Sequence, residues 1–272
     1  MTIIQAIILG IIQGITEFLP ISSSAHLVIT PYLLGWNLNP DFVFPFDVLV
    51  QIGTLVAVIY FFRRDVWAIL RDVFAGIGNR KPLGTANAKL GWLLILATIP
   101  AGVVGLLARD TIEAAFNSPS ITAIFLLVTA FLLIIAEAVG KRSRDIESAT
   151  WKDALWIGFA QVLSLLPGVS RSGSTMAGGM TRNLKRPAAA RFSFLMSIPV
   201  MLAAGLVSLL DLFAIPNIST VLPAMAAGFI TAGVVGYFAI AWLLQFISKR
   251  PLYVFSVYCA VLAAVTLLVV YV

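Results

Sequence analysis

Residues 153–181 read DALWIGFAQVLSLLPGVSRSGSTMAGGMT, and this stretch decides the fold. It is interrupted midway by Pro167-Gly168-Val169-Ser170-Arg171-Ser172-Gly173. Lys141, Arg142, Arg144 and Lys152 lie before or at its start, and Arg182, Lys185, Arg186 and Arg191 follow it. Clusters of Lys and Arg mark the cytoplasmic side of a membrane protein. A segment that begins and ends on one side must either cross twice or turn back inside. Two crossings need about 40 residues, at about 20 per span, and this stretch has 29. It is expected to be a re-entrant helix–loop–helix, which a bilayer tolerates only where the loop is buried in protein or lines a cavity.

The rest of the chain agrees with a membrane setting. Of 272 residues, 60% are hydrophobic and 11% charged, with a mean hydropathy of +1.02. About a quarter of the residues of a soluble domain are charged, so a soluble globular enzyme is excluded. The apolar runs are continuous rather than alternating in ten-residue segments, which argues against a membrane β-barrel. The net charge of +6 and isoelectric point near 9.7 do not indicate a nucleic-acid partner, because the basic residues are clustered. Besides the two clusters above, Arg63, Arg64, Arg71, Arg80, Lys81 and Lys89 form one group, and Lys249 and Arg250 another. Only Arg109 and Arg171 stand apart. With the clusters inside, segments 36–45, 109–118 and 211–221 are expected outside. Six spans follow: 46–62, 90–108, 119–139, 192–210, 222–247 and 252–272. Residues 1–35, broken at Leu19-Pro20-Ile21-Ser22-Ser23-Ser24, are expected to form a second hairpin that enters from outside. No Lys or Arg precedes Arg63, so the charged region of a cleavable signal peptide is missing.

The two hairpins echo each other. Gln13 precedes Ser22 by nine residues, as Gln161 precedes Ser170. Phe46 and Phe194 open spans at the same offset, and Ala101-Gly-Val-Val-Gly105 matches Ala232-Gly-Val-Val-Gly236. The chain therefore reads as a single all-α polytopic membrane domain, 1–272. It is expected to be an inverted-topology repeat of about 1–139 and about 153–272. Each half has a re-entrant hairpin plus three transmembrane helices, with the two broken segments meeting near the midplane.

Ionisable groups inside a membrane are costly and mark functional sites. Gln13 and Glu17 share a helix face, and their oxygens suit a hard cation such as Mg2+ or Ca2+; the alternative is a Glu17–Arg171 ion pair alone. Arg171 sits in a Gly/Ser loop before a helix start, where backbone N–H groups, the helix dipole and a guanidinium fork favour phosphate oxygens. Ser22, Ser23 and Ser24 are each either a nucleophile or a partner for freed backbone groups. His26 is the only histidine and is a candidate general acid or base. One histidine excludes mechanisms that need two, and one cysteine, Cys259, excludes an intramolecular disulfide. Glu137 is expected at a helix end beside Lys141. Asp47, Gln51 and Thr54 are candidate cavity-lining residues. Tyr32, Trp36, Trp67, Trp92 and Trp151 fall near span ends, where aromatic belts lie. The set suits a phosphorylated lipid, because phosphoryl transfer needs positioning and charge neutralisation.

Gln13-Gly-Ile-Thr-Glu17-Phe-Leu-Pro-Ile-Ser-Ser-Ser-Ala-His26 and Pro167-Gly-Val-Ser-Arg171-Ser-Gly173 resemble the two signatures of the undecaprenyl-diphosphate phosphatase, or bacitracin resistance protein, family. The resemblance covers the whole chain. It implies hydrolysis of undecaprenyl diphosphate to undecaprenyl phosphate and inorganic phosphate, which recycles the lipid carrier of cell-wall synthesis. It implies a bacterial cytoplasmic membrane location, a site facing outward, dependence on a divalent metal and a homodimer. Carried over by position, Glu17, Ser23, His26 and Arg171 are catalytic. Ser22, Ser24, Ser170, Ser172 and Gly173 contact substrate, and Gln13 and Glu17 hold the metal. Gln13 is the neutral option at its position, which leaves one fewer acidic ligand. Serine and water both remain open as nucleophile. A lipid-phosphate flippase would use the same anion cradle without a nucleophile.

Overall fold

In a computed structural model the protein is described over residues 1–108, 111–112, 118–213 and 221–272, with the side chains of 40, 41, 44, 204 and 206–213 outside the description. Its helices are α1 (Ile3–Thr16), α2 (Ser23–Leu33), α3 (Pro40–Phe61), α4 (Arg63–Gly78), α5 (Ala86–Leu107), α6 (Pro119–Val139), α7 (Trp151–Val162), α8 (Arg171–Thr181), α9 (Arg186–Phe213), α10 (Leu222–Lys249) and α11 (Tyr253–Tyr271). Among the described residues no strand forms, only an isolated bridge between Arg144 and Leu184.

Four helices, α5, α6, α10 and α11, are long and apolar enough to cross a bilayer, and a fifth span is available if the bent pair α3–α4 counts as one. α3 and α9 cover the remaining expected spans, 46–62 and 192–210. Arg109 and most of the segments 109–118 and 211–221, expected outside, lie beyond the described residues.

The two expected hairpins are present as pairs of short helices. α1, α2, α7 and α8 have 14, 11, 12 and 11 residues, or about 16–21 Å at 1.5 Å per residue. None reaches the roughly 30 Å of a hydrocarbon core. Each start is fixed by a side-chain cap that satisfies N–H groups with no helical partner. Thr2 with Gln5 and Thr150 with Asp153 form capping boxes. Ser22 accepts from Ala25 N–H and Ser170 from Gly173 N–H.

The first helix of each hairpin is buried by a span from the opposite part of the chain. α1 packs on α10, and α7 packs on α5. α3 packs chiefly on α10 and also on α9, and α6 pairs with α11. Small residues allow the close approach of α1 to α10: a Cβ on Gly10 would lie 2.6 Å from the Gly228 carbonyl oxygen. Phe18, Phe194 and Phe62 stack edge-on or tilted where the first hairpin meets α3 and α9.

Two buried carboxylates tie the loops together on the side of the basic clusters. Glu137 is not a helix end reaching for water beside Lys141. It is 4% exposed, pairs with Arg142 at 2.6 Å and Arg186 at 2.5 Å, and accepts the Leu252 N–H at 2.8 Å. Burial alone would have left this charge unstable; two guanidiniums and an N–H compensate it. Asp153 likewise takes Arg144 at 2.8 Å and Arg182 at 2.7 Å.

Candidate active site

The two hairpin tips meet. Glu17 is the C-cap of α1, Ser23 opens α2 and Arg171 opens α8. Arg171 Nη2 donates to Glu17 Oε1 in a short ion pair between residues 154 apart in sequence. Glu17 Oε2 accepts from Ser23 Oγ at 2.6 Å and from Gln13 Nε2 at 2.9 Å. Three candidate residues therefore converge on one carboxylate. Gln13 is fully buried, and Glu17 is 9% exposed. Two helices, α2 and α8, begin here, which adds the partial positive charge of their N-termini to the guanidinium.

Two polar atoms at this cluster have no partner. Gln13 Oε1 and Arg171 Nη1 are both buried without a hydrogen bond. An orphaned buried polar atom carries a penalty of about 1–3 kcal/mol. One orphan here is an acceptor and the other a cationic donor. A cation next to an anion, such as a metal–diphosphate, satisfies both.

The donor set fits a hard divalent cation only in part. Glu17 carboxylate and Gln13 amide oxygen are suitable ligands. Among the described residues, no group of three or more His, Cys, Asp or Glu could hold a metal. The fit is to a cation shared with substrate phosphates, as is usual for Mg2+, rather than to a closed protein cage.

His26 is placed differently from the serines beside it in sequence. Its Nδ1 lies 2.7 Å from the Ser22 carbonyl oxygen and its Nε2 2.7 Å from Tyr258 Oη. The carbonyl can only accept, so Nδ1 carries hydrogen. In the neutral ring Nε2 is then the acceptor, and the Tyr258 hydroxyl donates to it. Tyr258 also stacks parallel to the imidazole at 5.7 Å. Both ring nitrogens are engaged, and the base in contact with Ser23 is Glu17.

The other candidate serines brace the tips. Ser22 has φ 68°, a left-handed conformation uncommon for a residue with a side chain, and caps α2. Its Oγ lies 3.1 Å from Ser24 Oγ. Ser24 Oγ lies 3.5 Å from the Gly168 N–H of the other tip. Ser172 Oγ donates to the Leu19 carbonyl at 2.9 Å. Ser170 caps α8, accepting from the Gly173 N–H at 3.0 Å. Gly173 packs against that cap: a Cβ there would lie 3.0 Å from Ser170 Cβ. Thr54 is buried but donates to the Gln51 carbonyl of its own helix at 2.8 Å. Asp47 and Gln51 are half-buried on α3.

Two supporting residues escape a reading of the motifs. Thr129 of α6 donates to the Gly168 carbonyl at 2.9 Å and accepts the Ser170 N–H at 2.8 Å, so it clamps the second tip. Tyr258 of α11 is the other. Both are isolated polar residues in apolar spans, and that isolation is the signal that could have found them.

A membrane protein built on two converging broken helices, with a carboxylate, a hydroxyl and a guanidinium in contact at their tips, is suited to work on a phosphorylated lipid. The chain belongs to the family described as Bacitracin resistance protein BacA, whose model matches residues 6–265. It is 45% identical to the undecaprenyl-diphosphatase of Chlorobium limicola, covering 98% of this chain and 96% of that one. It is 43% identical to the undecaprenyl-diphosphatase of Chloroherpeton thalassium, over 95% and 93% of the two chains. It is 42% identical to undecaprenyl-diphosphatase 2 of Stutzerimonas stutzeri, over 98% of each.

Proposed function

We propose that this protein hydrolyses undecaprenyl diphosphate to undecaprenyl phosphate and inorganic phosphate, with a divalent cation, and that Glu17, Ser23 and Arg171 do the chemistry. The observation that carries this is the pair of orphans beside Glu17: Gln13 Oε1 and Arg171 Nη1. Arg171 holds Glu17 with one arm and has the other for a phosphate oxygen. Gln13 Oε1 and Glu17 would hold the cation, which supplies charge neutralisation on the phosphate oxygens.

Ser23 Oγ is the nucleophile in this reading, and Glu17, at 2.6 Å, takes its proton. A bond forms from Ser23 Oγ to the terminal phosphorus, and the bond from that phosphorus to the bridging oxygen breaks. Undecaprenyl phosphate leaves with the electron pair. Glu17 passes the serine proton to that leaving phosphate; water then cleaves the phosphoserine, Glu17 accepting the water's proton and returning it to Ser23 Oγ as the bond from that oxygen to phosphorus breaks. Arg171 neutralises charge on the transferring group in both steps, the role in which a guanidinium is most effective. His26, oriented by the Ser22 carbonyl, takes a proton at Nε2 through the Tyr258 hydroxyl and returns it the same way, shuttling protons between the product side and solvent.

The inverted repeat is part of the proposal. The exchange of partners supports it: the first helix of each hairpin packs on the second span of the other half, α1 on α10 and α7 on α5. Six spans, with the first hairpin entering from outside and the site open outward, follow from the basic clusters lying on the opposite side.

A direct test is to trap the covalent intermediate. Rapid acid quench of purified protein with β-phosphorus-labelled substrate should leave label on Ser23 and none on Ser23→Ala. A turnover-competent Ser23→Ala variant would replace the serine with a water nucleophile.

A further inference from the structure

The α3–α4 junction bends the chain by 78° just where α3 ends. α4 therefore leaves the axis of α3 and runs nearly at right angles to it. The sequence places this basic segment on the inner side, between spans 46–62 and 90–108; it forms a helix of 16 residues, about 24 Å long at 1.5 Å per residue. Its side chains are sorted by arc. Ile69 is buried, and Val66 and Val73 pack against the core with it. A Cβ on Gly91 of α5 would meet Val73 at 2.7 Å and Ile69 at 2.8 Å, so α4 is docked firmly on α5. Asp65 pairs with Arg191 at 2.8 Å. Asp72 accepts from Thr85 and Asn87, each at 3.0 Å, as well as from Arg71.

The next arc carries Trp67, Leu70, Phe74 and Ile77 at helical spacing, and they are 69%, 46%, 68% and 52% exposed. Beyond that stripe lie Arg64 and Arg71, with Arg63, Arg80 and Lys81 at the two ends, all exposed. Tyr60, under Arg63 at 4.8 Å, continues the aromatic edge onto the span. A helix in water does not present four large apolar side chains in a row, and a helix inside the hydrocarbon does not place arginines beside them. An apolar stripe with aromatics, bordered by basic residues, is the pattern of a helix lying in the interface of an anionic membrane.

We propose that α4 is an interfacial anchor. Its Trp67–Leu70–Phe74–Ile77 stripe sits at the boundary of head groups and acyl chains, and its arginines bind the head groups of anionic phospholipids on the cytoplasmic leaflet. This surface is separate from the Glu17–Arg171 site and does not depend on the reaction assigned there.

The test uses the full chain in lipid nanodiscs with an environment-sensitive fluorophore on Phe74→Cys. Cys259 is buried, so wild-type protein labelled in parallel supplies the background. Ile77→Cys serves if Phe74→Cys inserts poorly. The anchor predicts blue-shifted emission that is quenched by acyl-brominated lipid. Quenching is several-fold stronger when the bromines are carried on phosphatidylglycerol than on phosphatidylcholine at equal mole fraction. The Arg64→Gln/Arg71→Gln variant keeps the quenching and loses that preference. Emission as in water overturns the proposal. Blue-shifted emission insensitive to brominated lipid also overturns it, since protein, such as a second copy, then covers the stripe. Equal quenching by both lipids overturns the head-group part.

Discussion

Arg171 uses one guanidinium arm to hold Glu17 and leaves Nη1 buried and unpartnered. A lysine there could neutralise Glu17 but has no second, fixed arm for a phosphate oxygen. Arg171→Lys is expected to lower kcat/KM by about 10²–10³, the range for loss of one preorganised donor, with unchanged elution from a sizing column in detergent. Turnover near wild type would remove Arg171 from the mechanism. Tyr258→Phe keeps the stacked ring and deletes the hydroxyl that donates to His26 Nε2. Its kcat should fall about tenfold, less than the 10²–10⁴ of a whole acid–base contribution, with KM little changed; a KM effect alone would make Tyr258 a packing residue. Gln13, Glu17 and Arg171 stood out in the sequence because polar groups in broken apolar helices have few other reasons to be there, whereas Ser23 was set apart from Ser22 and Ser24 only by the resemblance to the family. The partners of His26 were not legible. Its neighbours in sequence are serines, whereas Tyr258 arrives from 232 residues away, and a tyrosine in a span resembles any belt aromatic.

At the scale of elements, the tips depend on backbone geometry as much as on side chains. Gly168 has φ +99°, and a Cβ there would lie 2.2 Å from the Thr122 carbonyl oxygen. Gly168→Ala is expected to destabilise the protein by about 2–4 kcal/mol through left-handed strain and overlap, read as a lower Tm in detergent together with lost activity. An unchanged Tm would contradict the packing of the second tip against α6. Asp153, at the rim of the second hairpin, behaves as a structural anchor. Burial opposes its charge, but hydrogen bonds from Arg144, Arg182 and Thr150 outweigh burial and hold its carboxyl below the usual range. Its folded value is thus depressed below an unfolded value of about 3.9. The stabilisation is complete above that value and is lost as pH falls below it. Tm should therefore be insensitive to Asp153 ionisation from about pH 5 upward and drop below about pH 4, with a shallower drop in Asp153→Asn. The hairpins were readable from length, breaks and charge. α4 was not, because its basic residues read only as a marker of the inner side while its apolar stripe is interleaved with them. Glu137 was misread for a similar reason: Lys141 is nearer in sequence, but Arg186 comes from another helix.

On the scale of the molecule, the short broken helices have no stable place in a membrane except inside a frame of spans. Each hairpin begins with a helix packed on a span from the opposite part of the chain, and the Glu17–Arg171 pair joins the two tips. This arrangement accounts for a polar cluster held within an apolar protein and for candidate site residues split between 13–26 and 170–173. All-helical class, hairpin order and the meeting of the tips could be inferred from the sequence, since each follows from hydropathy, charge clusters and breaks. The pairing of α6 with α11 and of α3 with α10 could not, because apolar faces carry no partner information when every face is apolar. The measurement closest to the central claim is inorganic phosphate release from undecaprenyl diphosphate by purified protein in detergent, with chelator and then with Mg2+ or Ca2+ restored. The account predicts release that stops on chelation, returns with the metal and is absent in Arg171→Ala. No release with any divalent metal would contradict it and turn attention to translocation of lipid phosphate in vesicles.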